Sequence, residues 1–190
     1  MKIMKNLFAF FLLFVAMFAS AQMTPSQLPP LDKSPMDMSY YPANYPILKI
    51  QDKATEPLIM RVIYGRPQLN GRKVFGELQE YGSVWRLGAN EATEIEFFRD
   101  VKINGKKIKK GRYTLYAIPY SDKWILIINK ETDIWGSFKY EASKDVLRVS
   151  LPVTKYPSTE AMTIVFDKTT KGADMDMFWD DVKVSLPVEF

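Results

Sequence analysis

The feature that most constrains the fold of this chain is a succession of short apolar runs separated by turn-forming clusters. These runs are rich in β-branched and aromatic residues, which is typical of β-strands. They cover residues 58–64, 93–98, 113–118, 124–129, 146–153, 162–166, 175–179 and 182–188. Many short strands with frequent turns are typical of a sandwich or a barrel. We therefore predict an all-β domain, a single antiparallel β-sandwich with jelly-roll-like connections.

Three local patterns extend this prediction. Asn104-Gly105 separates two short runs, and Asn-Gly supplies the two positive φ angles of a type I′ hairpin turn. Asp180-Asp181 separates two alternating sets of apolar residues, which predicts a second hairpin at the end of the chain. Residues 124–128 are apolar on both faces, which predicts a central strand covered on each side. The one helix-like segment is 74–81.

The first 21 residues have the pattern of a signal peptide. Lys2 and Lys5 precede an apolar run at residues 7–18, and Ala19-Ser20-Ala21 supplies the small residues of a cleavage site. This run is shorter than the roughly 20 residues that a membrane-spanning helix needs. No cysteine follows it, which excludes a lipoprotein anchor. We predict cleavage near Ala21, a periplasmic or extracellular location, and no transmembrane helix.

The chain that remains has the size of one domain and a proline-rich start. Removing 21 of the 190 residues leaves 169, which is enough for one sizeable core but few for two. Six of the 25 residues at 22–46 are proline, which predicts an extended arm before a β-sandwich at residues 47–190. Without Lys2 and Lys5 there are 24 basic and 22 acidic residues, and this net charge of +2 gives no support to nucleic-acid binding.

The composition excludes several kinds of chemistry. The chain has no histidine and no cysteine, so it cannot form a Ser-His-Asp triad, a usual zinc site or a disulfide. It also lacks the G-x-G-x-x-G, P-loop, G-x-S-x-G and S-x-x-K motifs of nucleotide binding and acyl-enzyme chemistry. We therefore expect no cofactor and no metal, and we assign no catalytic residue.

The connection at residues 65–92 is dense in side chains that recognise ligands. Guanidinium groups bind carboxylates, phosphates and sugar hydroxyls, and an indole can stack on a sugar ring or a cation. Long connections without a strand are uncommon in compact domains and often functional. The alternative is that the arginines pair with carboxylates to fix the connection to the sheet, and that the tryptophan is part of the core. The candidate ligand-binding residues are Arg66, Arg72, Trp85, Arg86, Asn90, Glu91, Asp145 and Arg148.

Other charged clusters have simpler explanations. The lysine-rich hairpin at residues 106–112 can meet anionic partners, but lysines on a hairpin also discourage edge-to-edge pairing of sheets. The aspartates at residues 174–181 lack the spacing of a calcium loop, which favours a solvated hairpin end. Four carboxylates are candidates for the acid and base of a glycoside hydrolase, although many domains contain enough carboxylates to form such a pair. They are Glu91, Glu94, Glu96 and Asp145.

Several motifs together carry a family resemblance. In chain order they are Tyr64-Gly-Arg-Pro67, Asn70-Gly-Arg-Lys-Val-Phe-Gly76, Tyr81-Gly-Ser-Val-Trp-Arg-Leu-Gly-Ala-Asn-Glu-Ala-Thr93, Ile103-Asn-Gly105, Gly111-Arg-Tyr-Thr-Leu115, Ile118-Pro119, Asn129-Lys130, Trp135-Gly136 and Asp145-Val-Leu-Arg148. With these motifs, residues 34–190 resemble the exported bacterial family catalogued as domain of unknown function twenty-nine-eleven. The resemblance implies a signal peptide and a β-rich fold. It implies no activity and gives no role to any candidate residue.

Three functions are compatible with these observations. The first is non-catalytic binding of a glycan, a peptide or a component of the cell envelope near Trp85 and Arg86. The second is a carboxylate-dependent polysaccharide hydrolase, and the third is a structural or assembly partner that uses a sheet edge. An open groove with an exposed Trp85 favours binding. A buried Trp85 with fully paired arginines favours a structural role.

Overall fold

The computed structural model describes residues 28–190 of the chain. The predicted signal peptide at 1–21 lies outside these residues, as do positions 22–27 of the predicted arm. The chain divides into an N-terminal unit, Met1–Leu31, and a second unit, Asp32–Phe190. Residues 28–31 of the first unit form no helix or strand. The second unit holds the sheets.

Two antiparallel sheets form the second unit. One sheet has six strands in the order β1-β2-β3-β6-β7-β8, and the other has four in the order β5-β4-β10-β9. The prediction of an all-β antiparallel sandwich is confirmed. In chain order the elements are β1 (Met36–Tyr41), α1 (Tyr45–Ile50), β2 (Met60–Gly65), β3 (Glu94–Phe97), β4 (Val101–Ile103), β5 (Lys106–Ile108), β6 (Gly111–Pro119), β7 (Lys123–Asn129), a 3-10 turn (Ala142–Lys144), β8 (Asp145–Pro152), β9 (Thr154–Lys168) and β10 (Gly172–Glu189).

The core lies between the sheets and is built by alternation along the strands. On β8, for example, Leu147, Val149 and Leu151 are buried, while the residues between them are exposed. Successive side chains of a strand point to opposite faces, so this alternation directs one face of the sheet to the core and the other to solvent.

Strand β7 departs from this alternation because both of its faces are covered. Leu126, Ile127 and Ile128 are all buried. Ile127 belongs to a second, small apolar cluster with Ala92 and Tyr116, on the face turned away from the main core. The prediction of a strand covered on each side is therefore confirmed, and the connection that contains Ala92 supplies part of the cover.

Strand β1 and helix α1 lie in or next to the segment that was predicted as an arm. The sequence analysis predicted neither element. Strand β1 pairs with β2 along its length, from Met36 opposite Gly65 to Tyr41 opposite Met60. Strand β1 is an edge strand and exposes much of Met36 and Met38, so it lacks the apolar alternation that identifies a buried strand. Helix α1 has six residues. No helix within residues 28–190 has the length and apolar content needed to cross a membrane.

The predicted turn at Asn104-Gly105 is confirmed, and the predicted helix at 74–81 is wrong. Asn104 and Gly105 have φ angles of 48° and 75°, as a type I′ turn between β4 and β5 requires. Residues 74–81 form turns without a helix. Gly76 has a φ of 90°, which a right-handed helix does not allow, and the backbone N–H of Val74 donates to Asp180.

The predicted hairpin at Asp180-Asp181 is also wrong. Strand β10 continues from Gly172 to Glu189, and its pairing with β9 is irregular on both sides of Asp180. Asp180 has a φ of 55°, whereas Asp181 has no positive φ. One residue in the left-handed region produces a bulge that bends a strand, but a type I′ turn requires two such residues.

Four aromatic rings join both sheets to the connection between β2 and β3. Trp124 lies on β7, Trp179 lies on β10, and Phe75 and Trp85 lie on the connection. The rings of Trp85 and Trp179 are stacked with centroids 5.7 Å apart, and Trp85 meets Trp124 edge-on at 5.5 Å. All four residues are 5% exposed or less. The connection is therefore packed into the core at this end of the sandwich.

This packing predicts very different effects for two tryptophan substitutions. Trp85→Ala should lower the free energy of unfolding by about 3–5 kcal/mol, because it empties a site enclosed by three other rings. Trp135 is 61% exposed, so the matched control Trp135→Ala should change that free energy by less than about 0.5 kcal/mol. Urea unfolding followed by circular dichroism measures both. Equal effects of the two substitutions would contradict a core role for Trp85.

Candidate functional site

Close contact between two backbones fixes residues 85–90 against the end of β2. A Cβ atom at Gly65 would lie 2.3 Å from the carbonyl oxygen of Ala89, and one at Gly88 would lie 3.0 Å from the carbonyl oxygen of Gly65. Glycine at both positions permits this approach. Trp85 and Ala117 of β6 exchange backbone hydrogen bonds of 2.7 and 2.9 Å. Residues 85–90 therefore form a wall that is tied to two strands.

A cavity of about 260 Å³ lies beside this wall, and we call it the Arg86 cavity. Its polar lining consists of Ser34, Arg72, Gln79, Arg86, Asn90 and Trp179. Its apolar lining consists of Pro67, Leu78, Trp85, Gly88 and Ala89. Two guanidinium groups and no carboxylate line the cavity, so its charge is positive.

Two hydrogen-bond donors of this lining are buried and have no partner. They are Nε of Arg86 and Nε1 of Trp179. Burial lowers the pKa of the Arg86 guanidinium, and no charged neighbour offsets this effect. A buried donor without a partner costs about 1–3 kcal/mol, and such donors are rare in folded proteins. Both donors therefore lack an acceptor within the described part of the chain.

The remaining buried polar atoms without a hydrogen bond, among residues 28–190, have a different setting. They are Nε of Arg61 and Oε2 of Glu96. These two residues form an ion pair, in which Nη2 of Arg61 lies 2.8 Å from Oε2 of Glu96. Their charges compensate each other, although one nitrogen is poorly aligned. Arg86 has no such compensation.

Two other candidates line the Arg86 cavity but are held by the protein. Arg72 donates from Nε to the carbonyl of Leu69 at 2.9 Å and from Nη2 to the carbonyl of Gln68 at 2.7 Å. Asn90 donates from Nδ2 to Oδ2 of Asp32 at 2.8 Å. These bonds hold the side chains of Arg72 and Asn90 in place at the edge of the cavity.

Arg66 and Glu91 lie outside the cavity lining. Arg66 donates to Asp37 of β1 at 3.0 Å, and to the carbonyl of Met162 and the hydroxyl of Thr163 on β9, both at 2.9 Å. It therefore connects the edge strands of the two sheets. Glu91 is exposed on the connection between β2 and β3.

Asp145 and Arg148 belong to a separate polar network at the start of β8. Asp145 accepts hydrogen bonds from Asn129 at 2.8 Å, from Tyr140 at 2.6 Å and from Arg148 at 2.7 Å. Burial and the hydrogen bond to Asp145 raise the pKa of Tyr140 to about 12. Neither Asp145 nor Arg148 lines the Arg86 cavity. The network ties the loop between β7 and β8 to the end of the sheet.

The structure therefore brings together four of the eight candidates and separates the others. Trp85 is 4% exposed, which favours the structural alternative for its ring. The side chains of Arg66, Arg72 and Arg148 are bonded to the protein, whereas Nε of Arg86 has no hydrogen-bond partner among residues 28–190. The four that line the Arg86 cavity are Arg72, Trp85, Arg86 and Asn90.

Seven residues of the cavity lining were not candidates in the sequence analysis, and Trp179 is the one among them with an unpaired, buried donor. It lies in an alternating apolar run, and this pattern assigns it to the core, where its ring does pack. Its unpaired Nε1 distinguishes it from Trp85, whose Nε1 donates to the carbonyl of Gly88 at 3.2 Å. A sequence pattern contains no information on which indole nitrogen finds an acceptor.

A larger groove of about 540 Å³ lies beside the lysine-rich hairpin. Lys107 of its lining is paired, because it lies 2.9 Å from an oxygen of Asp100, and Lys109 outside the lining lies 3.5 Å from the same oxygen. The hydrogen bond from Lys107, followed by that from the backbone of Lys110, lowers the pKa of Asp100 to about 2. Strand β5 of this hairpin is an edge strand, where lysines discourage pairing with another sheet. None of the buried, unpaired donors among residues 28–190 belongs to its lining, which makes the groove a weaker candidate than the Arg86 cavity.

The polar network predicts an unusual titration of Tyr140. Its folded pKa of about 12 is above the ordinary value of 10.0, so the fold favours the neutral phenol. This stabilisation is complete below pH 10 and is lost as the pH rises toward 12. Tyr140→Phe should remove a tyrosinate absorbance step near pH 12, measured by stopped-flow pH jumps before unfolding. Asp145→Asn should move that step toward lower pH. Loss of a step near pH 10 would contradict the assignment.

Comparison with known proteins places the chain in one family. The family model described as Protein of unknown function (DUF2911) matches residues 48–188. No curated protein and no solved structure matches the chain. The matched span includes β2 to β8, and every residue of the Arg86 cavity lining except Ser34. Because the match covers well over half of the chain and confirms the resemblance in its motifs, this protein belongs to the family described as Protein of unknown function (DUF2911).

Proposed function

We propose that this protein is a non-catalytic binding protein whose ligand enters the Arg86 cavity. The observation that supports this function is the pair of buried, unpaired donors, Arg86 Nε and Trp179 Nε1, in one cavity without a carboxylate. A ligand with acceptor oxygens satisfies both donors and offsets the desolvation of the guanidinium. Export by the signal peptide predicted at residues 1–21 makes the ligand a glycan, a peptide or a component of the cell envelope.

The groups that line the cavity are suited to binding. Guanidinium, amide and indole groups donate hydrogen bonds, and the guanidinium of arginine stays charged throughout the physiological pH range. General acid–base or nucleophilic catalysis needs a group that exchanges a proton near neutral pH, or a nucleophile beside a base. The lining contains one hydroxyl, that of Ser34, and no carboxylate, lysine or tyrosine beside it. These residues can therefore hold and orient a ligand.

The hydrolase alternative has less support from the geometry. Catalysis by two carboxylates needs a carboxylic acid that can donate a proton beside a second carboxylate. Three of the four candidate carboxylates are instead engaged by arginines, in the pairs Glu94–Arg112, Glu96–Arg61 and Asp145–Arg148. The fourth, Glu91, is exposed.

The first test compares two arginines in the protein without ligand. Arg86→Met should leave the free energy of unfolding unchanged or raise it, because it replaces a half-buried, unpaired charge by an apolar chain. The matched control Arg66→Met should lower it by about 1–3 kcal/mol, because it removes the bonds to Asp37, Met162 and Thr163. Urea unfolding at neutral pH measures both. If Arg86→Met is as destabilising as Arg66→Met, Arg86 has a structural role and the proposal fails.

The second test looks for the ligand itself. Soluble cell-wall fragments, oligosaccharides and short peptides are screened for their effect on the Tm of the mature protein. At least one class should raise Tm in the wild type and have no effect on Arg86→Met, because only the bound folded state is stabilised. Trp179→Phe replaces the indole with a smaller aromatic ring that lacks the N–H donor, and it should reduce the shift. A shift that is equal in wild type and Arg86→Met places the ligand elsewhere and contradicts the proposal.

A further inference from the structure

We propose that the Arg86 cavity binds a carboxylate that carries a small apolar group. This inference rests on the proposed binding function and adds the charge and the chemical class of the bound group. A short free carboxylic acid and the C-terminal residue of a peptide both present this chemistry. Three properties of the cavity lead to it: its charge, the kind of polar group in its lining, and its apolar part.

The charge around the cavity selects a ligand with one negative charge. Arg72 and Arg86 line the cavity, and no acidic residue does. One carboxylate, that of Asp32, lies behind the lining, where it accepts hydrogen bonds from the side chain of Asn90 at 2.8 Å and from the backbone N–H of Ser34 at 2.6 Å. Together these groups leave one positive charge, which a carboxylate neutralises. A phosphate group carries more negative charge than this at neutral pH.

The free polar groups of the lining match the oxygens of a carboxylate. Nε of Arg86 and Nε1 of Trp179 are buried and have no hydrogen-bond partner among residues 28–190. A guanidinium and an indole nitrogen donate hydrogen bonds and accept none, whereas an ionised carboxylate accepts and donates none. Its two oxygens also fit the planar fork of a guanidinium. An alcohol or an amide brings donors of its own, which Arg86 and Trp179 cannot accept.

Arg86, rather than Arg72, has its fork free for this contact. Arg72 already donates from Nε and Nη2 to the carbonyls of Leu69 and Gln68. Arg86 lies between Trp85 and Leu87, which are both buried, so the backbone that carries its guanidinium is fixed in the core. A desolvated cation gains most from a ligand group of opposite charge, since hydrogen bonds to charged groups are about twice as strong as neutral ones.

The apolar part of the lining determines what the carboxylate is attached to. Pro67, Leu78 and Ala89 line the same cavity as the two donors. The volume of about 260 Å³ is below the range of about 300–1,000 Å³ that is usual for sites enclosing a whole small molecule. The cavity therefore holds a carboxylate and the few carbon atoms next to it. Leu78 is 48% exposed, so a ligand that covers it removes apolar area from water.

The first measurement tests the charge with probes of matched shape. Butyrate, butyramide and inorganic phosphate are titrated into the mature protein and followed by NMR. Butyrate should bind at least about tenfold more tightly than butyramide, because the neutral amide leaves the guanidinium uncompensated. Arg86→Met should remove this difference. The matched control Arg99→Met should keep it, because Arg99 is exposed and lies outside the lining.

The second measurement tests the apolar group. From acetate to propionate to butyrate, affinity should rise by about threefold to fourfold for each methylene that enters the apolar part of the cavity. Leu78→Asn should reduce this gain and leave the ratio of butyrate to butyramide affinity within about twofold. Leu78 is half exposed, so this variant keeps the core of the protein intact.

A third probe distinguishes the two sources of the carboxylate. N-acetylalanine contains propionate and adds the main-chain amide of a peptide. Binding at least about tenfold tighter than that of propionate supports the proposal with a peptide C-terminus as the source. Binding no tighter than that of propionate supports it with a free short acid as the source. In both cases N-acetylalanine amide, which lacks the carboxylate, should bind at least about tenfold more weakly than N-acetylalanine.

Each contrary result removes a defined part of the inference. Equal affinity for butyrate and butyramide would overturn the carboxylate assignment, and tighter binding of phosphate would assign the cavity to another oxyanion. Equal affinity for acetate and butyrate would overturn the apolar group. If no carboxylate binds while another ligand from the screen requires Arg86, the proposed function stands and this inference fails. If no ligand requires Arg86, both fail.

Discussion

The packing of four aromatic rings at one end of the sandwich is the interaction on which the rest of this structure depends. Trp124 and Trp179 belong to different sheets, and Phe75 and Trp85 belong to the long connection between β2 and β3. Because the rings contact one another, the connection cannot leave the sheets without opening the core. The same packing places Trp85 and Trp179 in the wall of the Arg86 cavity, so the stability of the core and the shape of the cavity have one origin.

The Arg86 cavity differs from its surroundings in whether arginine side chains are paired with carboxylates. Arg66, Arg112 and Arg148 lie in ion pairs with carboxylates, which is the usual arrangement for an arginine that joins elements of a fold. Arg86 is desolvated without such a partner, and Trp179 adds a second unpaired donor. A fold loses stability by keeping such groups, and this cost is the argument for the binding function proposed above.

Sequence patterns predicted the elements in which local chemistry decides the conformation. The type I′ turn follows from Asn104-Gly105 because these residue types accept positive φ angles. The strands of the core follow from alternation. The edge strand β1, the turns at residues 74–81 and the continuous β10 were not predicted, since each depends on a partner distant in sequence: β2 for the first, Asp180 for the second and β9 for the third. Among the candidate residues, Arg66 and Arg86 are the same residue type in the same connection, or at its start. Arg66 donates a hydrogen bond to Asp37, whereas Nε of Arg86 has no partner among the described residues.

The sequence by itself determined that this protein is an all-β sandwich of the DUF2911 family, without histidine or cysteine chemistry. It also placed six of the eight candidate ligand-binding residues between residues 65 and 92. Apolar alternation, turn residues and composition are local properties, and a linear pattern records them. Only the tertiary structure decided that, of the candidate arginines, Arg86 has a buried nitrogen without a partner among the described residues. It also decided that the indole of Trp85 lies in the core and that of Trp135 on the surface, and that Trp179 and Arg86 line one cavity. Those properties depend on distances between residues far apart in the chain, which packing of the two sheets sets and no local pattern contains.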